Sequence, residues 1–152
     1  MIQRIQSVYL FLMSACAIVC MCLPIGRFVN DGKLLAEWTN LSLTTADGIS
    51  NYESWALFVL LFFVAVVSFL NIFLFKRRML QVRITIFAGF LLLGYCLVYG
   101  LFVYRFLGRF DGSQFIFSWA TSLPVIAMIL DYLAFRGIMK DEMLIRTLDR
   151  LR

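Results

Sequence analysis

The stretch WALFVLLFFVAVVSFLNIFLF, residues 55–75, contains no charged residue. A helix needs roughly 20 mostly apolar residues to cross the hydrocarbon core of a bilayer. A water-soluble chain of 152 residues has too small a core to hide such a segment together with the rest of its apolar side chains. The stretch therefore predicts a transmembrane helix over about residues 54–75.

The composition of the whole chain agrees with a lipid environment. Hydrophobic residues make up 62% of the chain and charged residues 15%, whereas soluble domains are nearer half apolar and a quarter charged. Three more stretches are long and apolar enough to span a bilayer, at about residues 7–24, 82–104 and 115–135. These four spans use most of the chain, so we expect an all-α membrane protein with one transmembrane domain over residues 1–152.

Two segments outside the predicted spans are longer than the others. Residues 25–53 form the larger one, and within it Asn30, Asp31 and Gly32 are a hairpin turn signal between short apolar runs. We expect a small hairpin-like external loop there, with two or three short strands. Residues 136–152 form a charged tail.

The basic residues predict the orientation of the spans. Cytoplasmic loops of membrane proteins carry an excess of Lys and Arg, and ten of the 14 basic residues fall on one side of the predicted bundle. That side holds both termini, which predicts that both are cytoplasmic and that residues 25–53 lie outside. The ten are Arg4, Lys76, Arg77, Arg78, Arg83, Arg136, Lys140, Arg146, Arg150 and Arg152.

Few side chains suggest catalysis or metal binding. The chain contains no histidine, which is the commonest general base and metal ligand. Its four cysteines all fall inside predicted spans, where cysteine normally behaves as a small apolar residue. We therefore expect no catalytic residue, no metal site and no cofactor. The cysteines are Cys16, Cys20, Cys22 and Cys96.

Asp131 is the most informative single residue, because a carboxylate inside a span is expensive and suggests a function or a partner. It is predicted one turn from the cytoplasmic end of the fourth span, level with Asn71, Arg83 and Thr85 of the second and third. One interpretation is a structural clamp, in which Asp131 pairs with Arg83 or Arg78 and Asn71 bonds across the bundle. The other is a proton or cation relay. The clamp is favoured, because a relay needs further ionisable groups toward the other face.

Pro124 is predicted to lie in the middle of the fourth span. Proline lacks the backbone N–H and its ring clashes with the preceding turn, so it kinks a helix interior. Thr121 or Ser122 is close enough in sequence to satisfy the freed carbonyl. The sequence therefore predicts a kink at Pro124, which a transporter could use as a gate.

The tail predicts a short amphipathic helix. Its apolar residues gather on one arc of a helical wheel, which Asp141 interrupts, with Arg146 and Arg150 roughly opposite. Such a helix can anchor the chain on anionic lipid, or it can dock on a cytoplasmic partner or on the second loop. The candidate docking residues are Arg146, Arg150, Arg152, Lys76, Arg77 and Arg78.

The two ends of the chain carry a resemblance. MIQRIQSVYLFL at the start and RGIMKDEMLIRTLDRLR at the end resemble the ends of a family of small four-span membrane proteins from Bacteroidota, known only as a domain of unknown function. The resemblance implies a protein of the bacterial inner membrane. It implies no activity, cofactor or catalytic residue.

Three functions remain open. The first is a non-catalytic accessory or scaffold subunit of a membrane complex, with the lipid bilayer and other membrane subunits or a second copy as partners. The second is a small oligomeric transporter or channel that uses Asp131. The third, least supported, is a membrane enzyme acting on lipid or quinone. Nucleic acid is not an expected partner, because topology explains the net charge of +5.

Overall fold

A computed structural model describes residues 2–30, 32–74, 77–109 and 114–150 of the chain, with side chains for all of these except residues 2–4, 78, 145, 146 and 148–150. Four helices are long and apolar enough to cross a membrane. Their number equals that of the predicted spans. The helices are α1 (Ile2–Cys22), α2 (Trp55–Phe73), α3 (Arg78–Arg109) and α4 (Leu123–Arg150).

The helices form a four-membered antiparallel bundle in which α1 packs on α2, α2 on α3, α3 on α4 and α4 on α1. Gln6 near the start of α1 contacts Asp141 near the end of α4. Asn71 near the end of α2 contacts Thr85 near the start of α3. The start of α1, the end of α2, the start of α3 and the end of α4 therefore share one end of the bundle, here called the terminal end.

The opposite end, here called the sheet end, carries a five-stranded antiparallel sheet with the strand order β4-β3-β2-β1-β5. The predicted turn at residues 30–32 joins the first two strands, and Gly32 adopts a φ of 77°, which glycine tolerates best. Asp31 itself lies outside the described residues. The strands are β1 (Pro24–Asn30), β2 (Lys33–Thr39), β3 (Leu43–Thr45), β4 (Ser50–Asn51) and β5 (Gln114–Phe117).

The sheet corrects the prediction of an all-α fold with a hairpin-like loop. The segment before α2 contributes four strands rather than two or three, and β5 comes from residues that were assigned to the fourth span. The short apolar run of β5 cannot be told from a helical segment by hydropathy. Its strand form depends on pairing with β1, where Phe115 stands opposite Phe28.

The fourth span starts later than predicted, and the kink at Pro124 is wrong. After β5, residues Trp119–Ser122 form one 3₁₀ turn and α4 begins at Leu123. Pro124 thus lies in the first turn of α4, where its missing N–H would have no partner within the helix and its fixed φ suits the helical start. Proline here begins a helix instead of bending one.

An aromatic cluster joins the sheet to the bundle. Trp38 of β2 is fully buried and stacks on Tyr99 of α3, with ring centroids 5.2 Å apart. Phe106, two turns further along α3, meets the same indole edge to face at 5.2 Å. At 32 residues α3 is about 48 Å long, more than the roughly 30 Å of a hydrocarbon core. The part of α3 that exceeds this length packs against the sheet through residues such as Phe106.

The charged tail is helical as predicted, but it continues α4 without a break to Arg150. Gly137 does not interrupt the helix, and it leaves room for α1, because a Cβ at that position would stand 3.1 Å from Gln6 Cγ. Ile138 is 1% exposed. The first turns of the tail therefore pack on α1 rather than standing away from the bundle.

Candidate functional site

Asp131 lies further from the end of its candidate span than the sequence predicted. It stands near the middle of the candidate span Trp119–Leu144, because α4 runs on past residue 135. Its side chain is 7% exposed, and Oδ1 is buried with no hydrogen-bond partner among the described residues. A buried polar group without a partner costs free energy, and a charged one costs more.

Gly89 of α3 makes the room that Asp131 occupies. A Cβ at position 89 would come within 2.8 Å of Asp131 Oδ2, so the carboxylate rests where another residue would have a side chain. The two residues share a groove of about 250 Å³ between α3 and α4. Its walls are almost entirely carbon and include Ile86, Phe90 and Leu93.

The predicted clamp between Asp131 and Arg83 does not form. Arg83 is exposed, and neither of the ion pairs among the described side chains includes it or Asp131. Arg83 is two residues before Thr85, about 200° around the helix, and so points away from the face of α3 that carries Thr85 and Gly89. The alternative partner, Arg78, has a side chain outside the described part of the chain.

Asn71 and Thr85 do meet, in a separate cluster between α2 and α3. Asn71 Nδ2 donates to Thr85 Oγ1 at 2.8 Å, and Thr85 Oγ1 donates to the carbonyl of Gln81 at 2.9 Å. Gln81 Nε2 returns to the carbonyl of Asn71 at 3.4 Å. The predicted four-residue cluster is therefore divided. Asn71 and Thr85 are bonded to each other, whereas Asp131 contacts Gly89, one helical turn beyond Thr85 on α3. Arg83 belongs to neither contact.

Sequence reasoning missed Gln81, although its spacing of four residues from Thr85 places both on one helical face. It also missed the bond from Gln6 Nε2 to Asp141 Oδ2, 2.7 Å long and buried. A signal for that bond existed, because Asp141 interrupts the apolar arc of the tail. Its partner is 135 residues away, which no local pattern reveals.

A third polar cluster lies beneath the sheet and was also missed. Asn40, fully buried, accepts a hydrogen bond from Tyr95 Oη at 2.8 Å and donates to the carbonyl of Cys20 at 2.6 Å. Thr121 Oγ1 donates to the carbonyl of Ile25 at 2.6 Å. These bonds tie the end of α1 to the sheet and to α3, so the arrangement satisfies the backbone where helix gives way to strand.

The predicted docking residues are only partly described. Arg77 is exposed at the terminal end. Arg78, Arg146 and Arg150 belong to helices, but their side chains are outside the described set, and Lys76 and Arg152 lie outside the described residues altogether. Within the described ranges, no three His, Cys, Asp or Glu side chains lie close enough to hold a metal ion.

The family described as Domain of unknown function (DUF4293) matches residues 2–151. The chain belongs to the DUF4293 family. A search of curated proteins found no match. For this DUF4293 chain, the resemblance to an uncharacterised family is confirmed, while the four-span membrane nature and the bacterial phylum of that family stay predictions. The family description names no activity.

Proposed function

We propose that the chain is a non-catalytic accessory or scaffold subunit of a complex in the bacterial inner membrane. The observation that carries this proposal is the buried, unpartnered carboxylate of Asp131 in a groove that opens on the outer surface of the bundle. A carboxylate in the middle of a span needs a donor. The chain's own described side chains do not supply one, so a neighbouring subunit would.

The outer surface of the bundle supports a membrane location. Large apolar side chains are exposed on all four helices, whereas a soluble protein rarely exposes a large contiguous apolar patch. In lipid such a surface has no cost. Examples are Phe11, Phe62, Phe69, Phe87, Phe90, Leu97 and Ile129.

The charge distribution supports a cytoplasmic terminal end. Exposed basic side chains at that end include Arg77, Arg83, Arg136 and Lys140, and cytoplasmic flanks carry such an excess. A reporter that is active only in the cytoplasm, fused after residue 152, should be active. The same reporter inserted after Gly48, in the β3–β4 turn, should be inactive. The reverse pattern would refute this orientation.

The subunit proposal is tested by measuring the mass of the protein extracted from its native membrane into lipid nanodiscs. We expect a particle heavier than one chain, with stoichiometric partners. Only monomeric particles, recovered across several mild extractions, would contradict the proposal.

A small transporter that uses Asp131 is the second candidate, since the same unpaired carboxylate could carry a proton. Asp131→Asn separates the two. In proteoliposomes a transporter should lose proton-coupled flux on this change while its secondary structure stays intact. An accessory subunit shows no such flux even as the unaltered chain, and the change weakens its association with partners instead.

A further inference from the structure

We propose that the groove between α3 and α4 receives a transmembrane helix of another protein, which places a Lys or Arg side chain against Asp131. This inference rests on the proposed subunit role and names the site of contact. Asp131 is 7% exposed and unpartnered among the described residues, and it lines a groove that a ligand can enter from the lipid side.

The shape of the groove suits a side chain approaching from lipid. Gly89 leaves room for the Asp131 carboxylate, while the exposed rings of Phe90 and Tyr132 also line the groove. A side chain that enters this groove therefore meets the Asp131 carboxylate, which covers Gly89.

The chemistry of the groove selects the kind of occupant. One carboxylate surrounded by carbon matches a long side chain with an aliphatic stem and a cationic head, which is the character of Lys and Arg. A bare metal ion would need several oxygen ligands. The residues that line the groove include one carboxylate, that of Asp131, and one hydroxyl-bearing residue, Tyr132.

A second copy of this chain fits less well. Parallel copies in a membrane keep each residue at the same depth. At the level of Gly89 and Asp131, the exposed described side chains of α3 and α4 are apolar except Tyr132. The exposed Arg83 lies six residues from Gly89, about 9 Å closer to the terminal end of the helix. A cation at the depth of Asp131 therefore has to come from a different chain.

The test uses the full chain in phospholipid vesicles with synthetic transmembrane helices of about 22 leucines and alanines. One peptide carries a central lysine, a second carries leucine there, and a third carries the lysine one turn off centre. Resonance energy transfer to a fluorophore at the amino terminus reports association. We expect the chain to favour the central-lysine peptide over the leucine peptide by about threefold to thirtyfold.

Two changes should abolish that preference. Asp131→Asn removes the charge and keeps the shape. Leu93→Trp fills the groove without altering Asp131, and Leu97→Trp, one turn further along the exposed face of α3 and outside the groove lining, is its matched control and should keep the preference. If Asp131→Asn fails to fold, the comparison of the two tryptophan variants decides the question.

Equal binding of the lysine and leucine peptides by the unaltered chain would overturn the inference, as would a preference that persists in Asp131→Asn or in Leu93→Trp. Energy transfer between two copies of the chain that depends on Asp131 would also overturn it, by making the second copy the occupant.

A native complex that survives Asp131→Asn, with no peptide preference, would refute this site and leave the subunit proposal standing. Peptide preference in a chain that is monomeric in its native membrane would refute the subunit proposal instead.

Discussion

Asp131 of α4 lies over Gly89 of α3, so closely that a Cβ at position 89 would stand 2.8 Å from the carboxylate Oδ2. Among the described residues, Asp131 is the one buried carboxylate near the middle of a candidate span, and Gly89 provides the space that it occupies. The closeness of this contact has a direct consequence for stability.

Gly89→Ala should leave the protein about 0.5–1.5 kcal/mol less stable than Gly94→Ala does, because the new methyl group forces the end of the Asp131 side chain out of its place over Gly89. Gly94→Ala is the matched control. Nothing lies within 4 Å of a Cβ there, and alanine favours a helix over glycine by up to about 1 kcal/mol. Unfolding in mixed micelles of increasing denaturing detergent, followed by circular dichroism, measures both.

The contact itself can be isolated by a double-mutant cycle. In an Asp131→Ala background the methyl group of Gly89→Ala meets no carboxylate, so the second change should cost much less than it does in the unaltered chain. Equal costs in the two backgrounds would contradict the packing of Asp131 on Gly89.

Asn71 and Thr85 should be energetically coupled, because their side chains form a buried 2.8 Å hydrogen bond between α2 and α3. Thr85→Val keeps the volume and removes the hydroxyl. The coupling between Thr85→Val and Asn71→Ala should be about 0.6–2 kcal/mol, the range for interhelical hydrogen bonds in membranes. Thr147→Val, whose exposed hydroxyl bonds only to its own helix, serves as control. Additive effects of the first pair would contradict the prediction.

Gln6→Leu should destabilise the terminal end by about 1–3 kcal/mol, because it leaves the buried Asp141 without its 2.7 Å donor. The double variant Gln6→Leu with Asp141→Leu removes both partners and should recover part of the loss. Hydrogen exchange at the start of α1 gives a local readout. Met143→Ala, on the exposed side of the tail, should leave that exchange unchanged.

Protonation of Glu53 should lower the stability of the protein in acid. Asn51 donates to its carboxylate at 2.8 Å and Arg109 contacts it at 3.2 Å, and these two hydrogen bonds hold the pKa of Glu53 below its ordinary value. A lowered pKa in the folded state stabilises the protein above the ordinary value, about 4.3. That contribution is lost as the pH falls through the lowered pKa.

The measurement compares the stability of the unaltered chain and of Glu53→Gln from pH 7 to pH 3. The unaltered chain should be slightly the more stable at pH 7, and the difference should shrink below the ordinary pKa. Asp47→Asn, in the turn before β4, is a control from the same sheet. A difference that grows toward low pH would contradict a lowered pKa of Glu53.

Local patterns were enough for the number of long apolar helices and for one turn. A span depends on the summed hydropathy of about 20 consecutive residues, so residues 55–75 predict α2 without knowledge of their neighbours. The turn before Lys33 is equally local, since it needs a positive φ at Gly32. Asp131 could likewise be singled out, because its cost in lipid follows from its residue type.

Tertiary structure decided the rest, because it depends on partners that are distant along the chain. Residues 114–117 are a strand only because β1, almost ninety residues earlier, offers them backbone hydrogen bonds. Pro124 lies in the first turn of α4 because residues 114–117 before it form β5 and not the start of the helix. The groove at Asp131 exists because α3 places Gly89 beside it. A hydropathy sum over neighbouring residues cannot predict this contact between two helices. The hydropathy of a segment depends only on consecutive residues, whereas strand pairing and helix packing depend on residues that are far apart in the sequence.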